Sequence, residues 1–216
     1  MKGKTVREYR LEKDNSFNDN FKKTYRDIYK QWYPKYHEFI EDFQSSFYEM
    51  SSDDMTMGCD YSLYITLTEH IFRFKPKHFI EYGPGFTTVL LHRIAQDLNW
   101  EMKVYSYEDD ERWYSILKQY GFDPFGTLQL VNMNVEERDG FYYCTYEHDL
   151  EKHKDVDYVL IDGPGEVIRN GIRKDNINLN LEKLLSHTGR KIPYLIDGRH
   201  FTQQHYRVLH GGINPY

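Results

Sequence analysis

The segment FIEYGPGFTTVLL, residues 79–91, restricts this chain more than any other stretch. A short apolar strand runs through two glycines around a proline into a helix opened by Thr87 and Thr88. A glycine-rich turn between strand and helix lets backbone approach a ligand and aims helix N-terminal amides at it. Glu81 ends the predicted strand, where a carboxylate suits a ligand bearing hydroxyls or positive charge better than a pyrophosphate. A dinucleotide fingerprint counted from Gly83 would need its third glycine at Thr88, which argues against a nicotinamide cofactor.

The remaining pattern is one of alternation. After Pro76, strands are predicted at Lys77–Glu81, Lys103–Tyr107, Leu128–Val131, Asp157–Ile161 and Pro193–Ile196. Helices are predicted between and after them, at Thr87–Leu98, Asp110–Tyr120, Ile177–Leu185 and Phe201–Leu209. Apolar strands alternating with helices specify an α/β fold with a mostly parallel, doubly wound sheet of about five or more strands. Ahead of it, residues 1–75 form a helical layer of the same unit: a polar arm over 1–17, two aromatic-rich helices over Phe21–Met50 divided at Pro34, a loop over Ser51–Asp60, and a helix at Tyr61–Phe74. Residues 76–216 form the core. Cys59 and Cys144 have neither disulfide-framework nor metal spacing. No apolar run reaches membrane-spanning length, and the first ten residues lack an apolar signal segment, so the expectation is a cytoplasmic protein without membrane contact. A net charge of −6 argues against nucleic-acid partners.

In a parallel sheet, ligands bind beyond the C-terminal strand ends. Four predicted strands finish on an acid there: Glu81, Glu108, Asp162 and Asp197. Glycines follow the last two, at Gly163 and Gly198.

That order of signals resembles a class I S-adenosylmethionine-dependent methyltransferase over about residues 75–210. Glu81-Tyr82-Gly83-Pro84-Gly85-Phe86-Thr87 is similar to the family's acid-x-Gly-x-Gly turn, which implies S-adenosylmethionine as cofactor, held by Glu81, Tyr82, Gly83, Gly85, Thr87 and Thr88. The resemblance implies that Glu108, with Asp109 beside it, grips the ribose hydroxyls, that the segment holding Asn132 and Asn134 lines the adenine, and that Asp162 lies beside the methyl group. Thr87 stands where a third glycine is common, a departure that favours the small-molecule O-methyltransferase branch. The family's closing antiparallel hairpin has no room in His210–Tyr216, so the sheet stops at about five strands or the sequence belongs to a longer chain.

The implied reaction is O-methylation of a carbohydrate or other small-molecule hydroxyl, with Asp162, Asp197 and His200 as catalytic candidates. His200 is attractive as a base because its ordinary pKa lies near neutrality. Metal-assisted O-methyltransferases also end their fourth and fifth strands on acids. Here Gly198 occupies their usual third-ligand position, so a magnesium or manganese site would need oxygens from water or substrate. Arg199 and Arg169 are candidates for holding the acceptor, with a plain surface position the alternative for Arg169. Two other readings stand beside this one: an inactive methyltransferase-like scaffold that binds through the aromatic N-terminal helices, and an aminopropyl transferase.

Overall fold

The structure, a computed structural model, describes residues 20–50, 60–165 and 167–209. The chain divides into two compact units, Met1–Arg73 and Phe74–Tyr216. The expected N-terminal arm, the Ser51–Asp60 loop up to residue 59, Cys59 and the last seven residues lie outside the described residues.

The first unit holds α1 (residues 20–32), α2 (Pro34–Met50) and α3 (Tyr61–Phe74). Pro34 opens α2, where its missing N–H would be unpaired in any helix. Apolar and aromatic side chains at helical spacing bury Tyr29, Tyr36, Ile40, Phe47, Tyr64, Leu67 and Ile71. The Tyr29 hydroxyl meets Thr68 Oγ1 at 3.2 Å, and Glu41 accepts from both Tyr61 and Arg26. This is a packed aromatic core with its phenols satisfied.

The second unit is built on β1 (His78–Tyr82), β2 (Lys103–Glu108), β3 (Leu128–Leu130), β6 (Tyr158–Ile161) and β10 (Tyr194–Ile196). Their order is β10-β6-β1-β2-β3 and every pairing is parallel. The chain winds outward from β1 through β2 to β3, then returns to the other side of β1. This is a doubly wound, Rossmann-like sheet whose switch point lies between β1 and β6. Helices α4 (Phe86–Asp97), α5 (Glu111–Gln119), α6 (Asn180–Thr188) and α7 (His200–Leu209) accompany it. Alternation along the strands sends Ile80, Tyr82, Tyr107, Val159 and Ile161 into one core with Leu181, Leu184 and Tyr206.

Three features depart from the sequence reading. The stretch after β3 continues into a hairpin, β4 (Met133–Arg138) and β5 (Phe141–Tyr146), turned at Asp139-Gly140 with φ of 53° and 83°. A second hairpin, β7 (Val167–Arg169) and β8 (Ile172–Lys174), turns at Asn170-Gly171 with φ of 52° and 73°. Positive φ at both central residues is the tight hairpin turn that Asx-Gly favours. The predicted helix at Ile177 instead begins as strand β9 (Asn176–Asn178), paired in parallel with β5, and α6 starts only at Asn180. Among the described residues, no helix is long and apolar enough to cross a membrane.

Candidate functional site

The C-terminal ends of β1 and β6 meet at the switch point. Gly83 takes a φ of +84°, and a Cβ there would stand 2.6–2.7 Å from the backbone of Asp162 and Gly163. A Cβ on Gly163 would overlap the Tyr146 hydroxyl. The first glycine of the turn is therefore required by the protein's own backbone. Gly85 has an extended φ of −171° and caps α4; its N–H donates to Thr88 Oγ1 at 3.0 Å.

Glu81 does not face a ligand. It is fully buried, and its oxygens accept from Thr87 Oγ1 at 2.5 Å, Thr88 Oγ1 at 2.6 Å and Ser106 Oγ at 2.7 Å. Burial raises its pKa, while the three hydroxyls pull it down. The side chains of Glu81, Thr87 and Thr88, expected at a cofactor, bond to one another in this structure. They lock the β1 end to α4 and β2. Tyr82, expected there too, is buried with its hydroxyl 2.7 Å from His148 Nε2.

Glu108, at the tip of β2, behaves differently. It is 5% exposed, and Oε1 accepts from the amides of Asp109 at 3.0 Å and Asp110 at 2.9 Å. Among the described residues Oε2 takes no hydrogen bond. Burial pushes this carboxyl up to about 8, with the neighbouring Asp109 and Asp110 charges adding to the rise. Asp110 caps α5 by accepting from the Trp113 amide, and the Trp113 indole donates to the Pro84 carbonyl at 3.3 Å. Trp113 thus bridges the loops after β1 and β2.

On the other side of β1, Asp162 follows β6 and Asp197 follows β10. The side chain of Asp162 is 29% exposed, and Arg199 reaches both its carboxylate, at 3.2 Å, and its backbone carbonyl. Surrounding protein pushes the Asp162 carboxyl up to about 8 against the pull of Arg199; Asp197 and Glu81 add to the rise. Arg199 is therefore an internal clamp, not the acceptor-binding group expected. His200 is not brought to these acids. It is exposed at the start of α7, packs on Phe201 with ring centroids 5.3 Å apart, and among the described residues has no hydrogen bond or ion pair.

Asn132 and Asn134 lie before and within the first strand of the β4–β5 hairpin. Asn132 is exposed and its carbonyl accepts from the Glu147 amide, while Asn134 pairs with Thr145 in the β4–β5 hairpin. The hairpin was missed in the sequence, and with it Tyr146, which β5 delivers to the strand edge. Its hydroxyl is buried without a hydrogen-bond partner, and burial together with the Asp109 and Glu108 carboxylates holds the phenol well above its usual range. The Asp139-Gly140 dipeptide was the available signal. Asn180 fixes the position by bonding both backbone polar groups of Tyr146, each at 2.9 Å.

Among the described residues, no group of three His, Cys, Asp or Glu side chains is arranged to hold a metal ion. Asp162 and Asp197 with Gly198 do not make a divalent site, and no step below runs through one. The arrangement offers a crevice with carboxyls on both sides of the β1 turn. One, Glu108, has an oxygen that takes no hydrogen bond among the described residues; the other, Asp162, has its carboxyl pushed up to about 8.

No family model matches this chain, and no curated protein matches it. Among solved structures it is similar to the SAH-bound methyltransferase PaMTH1 of Podospora anserina, at 13% identity and a TM-score of 0.36. That match covers 57% of this chain and 49% of the other, about half its length. A likeness of this size assigns no activity.

Proposed function

We propose that this chain is an S-adenosylmethionine-dependent methyltransferase acting on a hydroxyl of a carbohydrate or other small molecule. The observation that carries the reading is Glu108: a nearly buried carboxylate at the tip of β2, with one oxygen unpartnered among the described residues, beside the Gly83-Pro84-Gly85 turn. A carboxylate oxygen in that position accepts from a ribose diol, and its raised pKa marks a site that gains from a nearby cation. Gly83, Gly85 and Trp113 shape the adjoining wall, and Asp109 extends the acidic rim.

When bound beside Glu108 and the Gly83-Pro84-Gly85 turn, the cofactor would supply a methyl group for in-line displacement by the acceptor oxygen, with the sulfur–carbon bonding pair returning to sulfur. Asp162 takes the acceptor's proton. A carboxylate pushed up to about 8 is a stronger base for that task than one at its ordinary value. Arg199 holds the Asp162 main chain and side chain in place, and Asp197 sets the local charge. His200 has no part in this account.

The test is turnover. Incubation with S-adenosylmethionine and a panel of sugars and phenols, read as S-adenosylhomocysteine formed, should give product with the natural chain. Asp162→Asn should lower that rate by about a hundredfold or more without weakening cofactor binding. An equal rate in the variant would remove Asp162 from the chemistry.

A further inference from the structure

The two unpredicted hairpins flank an open groove of about 500 Å³. That volume is in the range of small-molecule sites. Met133 and Val135 of β4 and Tyr142 of β5 line one side; Arg169 and Asn170 of the β7–β8 turn line the other. Strand alternation places Val167, Arg169, Ile172 and Lys174 on one face of the second hairpin. Val167 buries against Tyr142 and Cys144, so this face is turned toward β5. The Tyr142 hydroxyl donates to the carbonyls of Arg169 at 3.5 Å and Ile172 at 3.3 Å, which pins the turn that carries the arginine.

Charge in the groove is unbalanced. Glu137 is paired with Lys174. Arg169 is exposed, and among the described residues its guanidinium has no hydrogen bond or ion pair. Asn170 adds a carboxamide, which both donates to and accepts from hydroxyls. A planar fork of donors beside an amide matches an anionic oxygen group carried on a polyol.

The groove also leads to the strand edge. Tyr142, Cys144 and Tyr146 lie on the same side of β5, so the strand runs from the groove to the switch point over roughly 13 Å. Burial raises the Asp109 carboxyl, and Arg169 is among the groups that pull it back, so the arginine's charge is felt at that edge.

We infer that the groove between the β4–β5 and β7–β8 hairpins is the acceptor site, and that it takes a hydroxylated small molecule bearing an anionic group, which Arg169 binds. This rests on the methyltransferase reading for the word acceptor. The binding claim stands on the groove alone.

The experiment is calorimetric titration of the full chain with D-glucuronate, glucose 6-phosphate and glucose, and separately with S-adenosylhomocysteine. The inference predicts that at least one of the two anions binds, that glucose binds at least about tenfold more weakly, and that Arg169→Gln lowers the anion's affinity by about tenfold or more. Which anion binds separates a carboxylate from a phosphate acceptor. S-adenosylhomocysteine should bind Arg169→Gln as it binds the natural chain. Binding of neither anion, or anion affinity unchanged in Arg169→Gln, overturns the inference. Arg169-dependent anion binding without any S-adenosylhomocysteine binding would instead overturn the methyltransferase reading and leave the groove as an anion site.

Discussion

Gly83 and Gly163 meet backbone to backbone at the switch point, where a Cβ on Gly83 would stand 2.6 Å from the Gly163 nitrogen. Gly83→Ala therefore combines a left-handed backbone with a collision against main chain. It should lower unfolding free energy by roughly 2–4 kcal/mol in urea denaturation. Gly171→Ala, at φ +73° with open space around it, should cost only about 1–2 kcal/mol. Equal losses in the two variants would contradict the close packing of the β1 and β6 loops.

Glu81 carries a second prediction. Glu81→Ala leaves the hydroxyls of Thr87, Thr88 and Ser106 buried without their acceptor. At about 1 kcal/mol or more for each, the loss in stability should reach about 3 kcal/mol, measured by urea denaturation. A ligand-contacting Glu81 would behave differently, with stability kept and only binding lost.

Stability should depend on pH through Glu108 and Asp162, both pushed up to about 8 by burial. In the folded chain they hold protons that the unfolded chain releases near pH 4. Their contribution is fully present below about pH 4 and is lost as pH rises through about 8. Melting temperature should therefore fall between about pH 4 and pH 8, and Glu108→Gln should flatten the fall. The same slope in natural and variant chains would reject the assignment.

Histidines act in the opposite direction. His153 lies within a chain from His78 Nε2 at 2.8 Å to the Tyr107 hydroxyl at 2.5 Å, and His148 stacks on Tyr107. Burial lowers His148 to about 4 and His153 to about 3. Their depressed values contribute stability that is present above about pH 6.5 and lost as pH falls through the folded values. Replacing His153 with Phe should flatten the acid side of the stability profile, read by urea midpoints at several pH values. Unaltered acid sensitivity would show that the ring does not titrate on unfolding.

The sheet was legible because its strands are apolar runs. YVLI of β6 and FI of β1 have one environment available to them, the centre of a parallel sheet. What sequence reading missed lies where pattern and propensity are weak. MNVEER of β4 has three exposed residues at its end, so alternation fades, and β7, β8 and β9 are three residues each. Only their turns, Asp139-Gly140 and Asn170-Gly171, announced them. In the site, Glu108, Asp162 and Asp197 stand at the predicted strand edge, since an acid after an apolar strand is a local signal. Internal service by Glu81 and Arg199 was not legible. The partners Ser106 and the Asp162 carbonyl lie 25 and 37 residues away. Only the register of β1 on β2 and of β10 on β6 brings them together.

The central claim is a cofactor pocket at the β1–β2 edge, and calorimetric titration with S-adenosylhomocysteine tests it most directly. The natural chain should bind at a single site, and Glu108→Ala should bind about tenfold or more weakly, through loss of a charge-assisted hydrogen bond. S-adenosylmethionine, carrying the sulfonium charge, should gain affinity relative to S-adenosylhomocysteine as pH rises through about 8 and the carboxyls ionise. No binding by the natural, folded chain, or equal binding by Glu108→Ala, would contradict the account.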